Sequence, residues 1–147
     1  MSPLPTLLSV SHLVGLALGL GAATVKIVLM LISRSDPAFV PIYLRVAKPI
    51  TRQIVLGIII LALSGVGWLL IGYEFSALLI VKIILVAGMF VLGPIIDNVV
   101  EPTFRKLAPP PEEAPSPEFR KVQKQLLSLE VAATVLFYVI FALGVSL

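Results

Sequence analysis

The stretch FSALLIVKIILVAGMFVLGPIIDNVV, from Phe75 to Val100, carries two charged side chains, Lys82 and Asp97, in 26 residues. At 1.5 Å per helical residue it reaches about 39 Å, more than the roughly 30 Å of a bilayer's hydrocarbon core. Lipid offers the backbone no hydrogen-bond partners, so an unbroken apolar run of this length has to be helical, and the alternation of a barrel strand is absent. Leu7 to Ser33, Ile54 to Tyr73 and Leu126 to Leu147 read the same way. The whole chain agrees, with 59% hydrophobic and 13% charged residues, where a soluble domain carries roughly 25% charged. The sequence predicts an all-α polytopic membrane protein. Its 147 residues form one membrane domain, a four-transmembrane-helix bundle with helices near 7–33, 50–73, 75–100 and 117–147 and a proline-rich linker over 107–117. The first helix is expected to be retained rather than cleaved as a signal, because Met1 to Thr6 contains no Lys or Arg.

Nine of the eleven Lys and Arg residues fall in two segments. Arg34, Arg45, Lys48 and Arg52 lie between helices one and two; Arg105, Lys106, Arg120, Lys121 and Lys124 lie between three and four. Cytoplasmic loops hold the excess of basic residues, which predicts both long loops inside and both termini outside. The net charge of +3 is thus a matter of topology, and no nucleic-acid partner is implied. The expected location is a bacterial cytoplasmic (inner) membrane, with the lipid bilayer as the first partner. Trp68 and Tyr73 at one end, and Phe39 and Tyr43 at the other, fit interfacial aromatic belts.

The connections predict the arrangement. A turn of about two residues around Gly72-Tyr73-Glu74 makes helices two and three antiparallel neighbours. Asp36-Pro37 through Lys48-Pro49 reads as an interfacial segment with a fresh helix start at Pro49. Leu107 to Pro117 reads as a polyproline-type spacer, followed by Ser116 as an N-cap with Pro117 in the first helical position. Phe119, Val122 and Leu126 then share a face, with Arg120, Lys121 and Lys124 elsewhere, as in a helix resting on headgroups.

Ionisable residues inside a span cost about 2.5 to 3.5 kcal/mol on insertion scales, so each one is a candidate site. There are five: His12, Lys26, Lys82, Asp97 and Glu130. Counting residues from the span ends puts His12 and Lys82 in an outer layer and Lys26, Asp97 and Glu130 in an inner one. The inner layer reads as an ion pair between Lys26 and Asp97 or Glu130, as snorkelling side chains, or as a proton relay. On helix one, His12, Gly15, Gly19, Ala22 and Lys26 share a face at 100° per residue. Two readings of that stripe stay open. Gly15 and Gly19 either let a neighbouring helix approach closely, or leave a slot for a flat macrocycle with His12 as axial metal ligand.

The segments Ser11-His-Leu-Val-Gly15-Leu-Ala-Leu-Gly19-Leu-Gly21 and Phe75-Ser-Ala-Leu-Leu-Ile-Val-Lys82 resemble small bacterial four-helix membrane proteins related to the copper-resistance D family and to the HemJ-type membrane protoporphyrinogen IX oxidase. The resemblance implies a haem b cofactor held by His12, with Gly15 and Gly19 beside it, and a catalytic role for Lys82. The chain departs from the oxidase pattern after Gly19, where Gly21-Ala-Ala-Thr-Val replaces an aromatic-rich run, and Met1, Met30 and Met89 form no copper-binding cluster.

Three functions compete on the sequence. One is a haem protein with redox or porphyrinogen-oxidase-like activity. Another is a cofactor-free subunit or assembly factor joining other membrane subunits or a homo-oligomer. The third is a small proton or ion carrier using Lys26, Asp97 and Glu130. With one histidine and no cysteine, disulfides, thiolate metal sites, serine triads and zinc chemistry all lack parts.

Overall fold

A computed structural model describes residues 2–147. Helix α1 runs Leu4–Ser35, α2 Val40–Leu70, α3 Ala77–Ile95, α4 Glu101–Leu107 and α5 Pro117–Val145. A 3₁₀ turn at Pro37–Phe39 leads into α2, and a π turn at Ile96–Val100 joins α3 to α4 as one rod, Ala77–Leu107. Four rods are therefore long and apolar enough to cross a membrane, and the fold is the expected four-helix bundle.

The helix ends follow local chemistry. Asp36 accepts a hydrogen bond from the Ala38 amide at 3.0 Å and turns the chain after α1. Ser76 caps α3 through the Leu79 amide at 3.2 Å, and Ser116 caps α5 through the Phe119 amide at 3.1 Å. Gly72, at φ +95°, is the one described residue with a clearly left-handed backbone.

Helix two departs from its expected start. It begins at Val40, with Pro41 in its first turn, and runs straight through Pro49. Pro49 costs the Arg45 carbonyl one amide partner, but the turns before it are anchored by burial: Val40, Tyr43 and Ala47 are almost wholly enclosed. Tyr43 thus belongs to the core, with its ring edge-on to Phe104 at 5.8 Å, and not to an aromatic belt. The opening turns of α5 are corrected in the same way. Phe119 and Leu126 are fully buried, and Phe119 stacks on Phe104 at 4.9 Å, so this apolar face meets protein and not headgroups. Met30, Ile96 and Val100 complete this main core at the basic-loop end.

The bundle is an open arc. Helix α1 packs closely on α2, α5 packs on α1 and on α3, but α2 and α3 do not pack along their length. They are joined by six residues, 71–76, rather than a two-residue turn, and the expected neighbour contact does not form. The small residues explain the preference of α2 for α1. A Cβ on Gly57 would meet the backbone of Gly19, with its Cα at 2.6 Å, and the Gly15 carbonyl oxygen at 2.7 Å. The slot expected beside Gly15 and Gly19 is filled by α2 at Gly15 and by the Phe137 ring of α5 together with Gly57 at Gly19, so these two glycines serve helix packing and do not face a macrocycle. With one face of α2 committed to α1, and the buried residues of α3 turned toward α5, a cleft remains between α2 and α3.

Candidate functional site

Two cavities occupy that cleft. The one nearer the chain termini measures about 730 Å³, and the one nearer the basic loops about 330 Å³. Ile58, Met89 and Phe137 line both and form an apolar septum between them.

His12 and Lys82, placed in one layer by residue counting, line the same larger cavity. Its other walls are largely apolar, drawn from α1, α2, α3 and α5, with Trp68 and Tyr73 at its terminal end. The His12 ring is fixed from behind: its Nδ1 lies 2.8 Å from the Ser64 hydroxyl. Ser64 is buried on α2 and its hydroxyl proton goes to the Leu61 carbonyl at 3.1 Å. With its proton on Leu61, Ser64 can accept from Nδ1–H, the tautomer that puts the lone pair of a neutral imidazole on Nε2; the contact itself is compatible with either direction. Such a hydrogen bond behind a ring holds a histidine in the tautomer and orientation a metal ligand needs. Lys82 has no hydrogen-bond or ion-pair partner among the described residues. Its Nζ rests over Gly144 of α5, where a Cβ would come within 2.9 Å. Ser64 and Gly144 escaped the sequence reading because a serine and a glycine in apolar helices carry no pattern of their own.

The smaller cavity has a different character. The Lys26 ammonium, 1% exposed, meets Glu130 Oε1 at 2.6 Å, Glu101 Oε2 at 3.0 Å and Thr51 Oγ1 at 2.8 Å. Thr51 and Glu101 accept hydrogen bonds from it, and Glu130 is held as an ion pair. Arg105 extends the network, donating from Nη2 to Glu101 at 3.1 Å and from Nη1 to the Leu44 carbonyl at 2.9 Å. Of the partners expected for Lys26, Glu130 is one and Asp97 is not. Glu101, buried by the π turn, takes that place. Asp97 lines the cavity beside Lys26 and Glu130 without any hydrogen bond or ion pair among the described residues. Four buried polar atoms lack a hydrogen-bond partner among the described residues: Tyr43 Oη, Gln123 Nε2, Thr134 Oγ1 and Glu130 Oε1, the last held to Lys26 by charge alone.

The described residues contain no group of three or more His, Cys, Asp or Glu side chains that could hold a bare metal ion. A lone imidazole can hold a metal only where the remaining ligands come with it, as in a porphyrin. The larger cavity passes that test: it has one imidazole nitrogen, one cation for a carboxylate, and a volume within the roughly 300–1,000 Å³ of small-molecule and cofactor sites. Comparison with protein-family models, curated proteins and solved structures finds no match.

Replacing Ser64 with alanine tests the support behind the ring. Were a haem held by His12, the variant would be expected to keep its fold and lose about 10- to 100-fold in affinity for it, the cost typical of removing such a partner. Titration of haem into detergent-solubilised protein measures it; unchanged affinity would mean that Ser64 does not set the ring.

Proposed function

We propose that the chain is a haem b or porphyrin-binding protein of a bacterial cytoplasmic membrane, with redox or porphyrinogen-oxidase-like activity, its termini outside and its basic loops inside. One observation carries this reading: the His12 imidazole and the unpartnered Lys82 side chain line a single, largely apolar cavity between two helices. Basic-residue placement supports the orientation. The likeness of the His12 and Lys82 segments to the oxidase group supports the class of ligand.

In this reading His12 Nε2 would hold the haem iron, and the contact between its Nδ1 and Ser64 keeps the ring from rotating. Lys82 would meet a propionate, or a carboxylate of an anionic porphyrin substrate. The apolar walls exclude water and lower the local dielectric, which strengthens the Lys82 contact. Haem, when bound, supplies one-electron redox chemistry, and the chain supplies ligand, orientation and surroundings.

The test is a reduced-minus-oxidised visible spectrum of protein expressed with ample haem. The expected result is b-type bands in the wild type, none in His12→Ala, and bands of near-normal intensity but shifted midpoint potential in Lys82→Ala. A featureless wild-type spectrum would overturn the reading and turn attention to a cofactor-free subunit.

A further inference from the structure

We propose that the smaller cavity is a proton-exchange site in which the Asp97 carboxyl binds one proton and passes it to water held in the cleft. The inference is independent of haem in the larger cavity.

The first argument is a balance of charges. Asp97 shares its cavity with Lys26 from α1, Thr51 from α2, Asn98 of its own turn, and Glu130 and Thr134 from α5, and Glu101 from α4 and Tyr43 from α2 lie close enough to interact with it through their charges. Lys26 and Arg105 carry two positive charges, and both are engaged by Glu101 and Glu130, which carry two negative ones. Asp97 is a third carboxyl with no cation left to meet it. A carboxylate beside lipid with neither an ion pair nor a hydrogen-bond donor is costly, and the alternative open to it is to hold a proton.

The second argument is the unmet hydrogen-bonding capacity around it. Thr134, 6% exposed, lines the cavity with an unpartnered hydroxyl, and the unpartnered Tyr43 hydroxyl and Gln123 amide lie buried in the adjoining core. Water is the ligand that satisfies such groups, and 330 Å³ has room for several molecules at about 30 Å³ each. Local backbone structure contributes too. Asp97 sits in the π turn, between Pro94 and Pro102, neither of which can donate a backbone hydrogen bond. Widened turns of this kind are frequent at functional sites. The septum of Ile58, Met89 and Phe137 bounds the site on its terminal side and keeps its polar groups from the larger cavity.

A lipophilic carbodiimide tests this on the wild-type protein in liposomes. The reagent takes the proton of a carboxylic acid onto nitrogen while the carboxyl oxygen bonds to its central carbon. Acyl migration then leaves a stable N-acylurea that mass spectrometry locates. The expected adduct is on Asp97, dominant over Glu101 and Glu130, and falling with rising pH by about tenfold per unit on the alkaline side. Asp97→Asn is expected to lose it. Protein made with or without haem should label alike, which separates this result from the outcome of the spectrum. No adduct on Asp97 at any pH, labelling that ignores pH, or equal labelling of Glu101 and Glu130 would overturn the proposal.

Discussion

Replacing Lys26 with methionine is expected to lower stability by about 3 to 5 kcal/mol, the usual cost of leaving a buried ion without its partner. The ammonium is 1% exposed and contacts Glu101, Glu130 and Thr51 at once. Methionine restores the volume but none of the donors, so two carboxylates are left in a low-dielectric interior with only Arg105 near one of them. Unfolding in mixed micelles by increasing SDS, followed through Trp68 fluorescence, measures the loss. The triple variant Lys26→Met, Glu101→Gln, Glu130→Gln removes the stranded charges and is expected to recover most of it, because exchanging a whole buried ion group for neutral residues is often close to neutral. A single-variant loss below about 1 kcal/mol, the range of exposed pairs, would show that water reaches the network freely.

Gly57→Ala is the second large effect, at about 3 kcal/mol, the upper end of overpacking costs. The added methyl meets backbone rather than the tip of a flexible side chain: Gly19 Cα at 2.6 Å and the Gly15 oxygen at 2.7 Å. Neither can move without parting α1 from α2. Gly21→Ala serves as the control, since nothing lies within 4 Å of its position and alanine is the better helix former by about 1 kcal/mol. The same SDS titration should separate the two variants widely. If they behave alike, the α1–α2 crossing is looser than the glycines imply.

The existence of four spans was legible because apolar length alone decides it. So was the sharing of one level by His12 and Lys82, since residue counting along straight helices measures depth well. What escaped depends on which helix meets which. Glu101 escaped because the apolar run stops at Val100, one residue short of it, whereas the rod continues to Leu107 and its π turn keeps Ile96, Val100 and Glu101 all buried. The distant pairing of α2 and α3 was equally invisible. An apolar helix surface reads the same whether it faces lipid, a neighbour or a cavity. Gly57 could have been seen as the counterpart of Gly15 and Gly19, but a lone glycine in a span gives no hint of its partner.

Lys26 also answers a question that apolar packing leaves open. Between helices already in lipid there is little hydrophobic force to prefer one neighbour, or one vertical setting, over another. Lys26 belongs to α1 and touches Thr51 of α2, Glu101 of the α3–α4 rod and Glu130 of α5, so a single nitrogen atom indexes all four rods against each other. Sliding any of them by one helical turn, about 5.4 Å, breaks at least one of those bonds. The bundle can then leave one side open without losing its order, because its alignment is keyed at one polar point and not by closure of the ring.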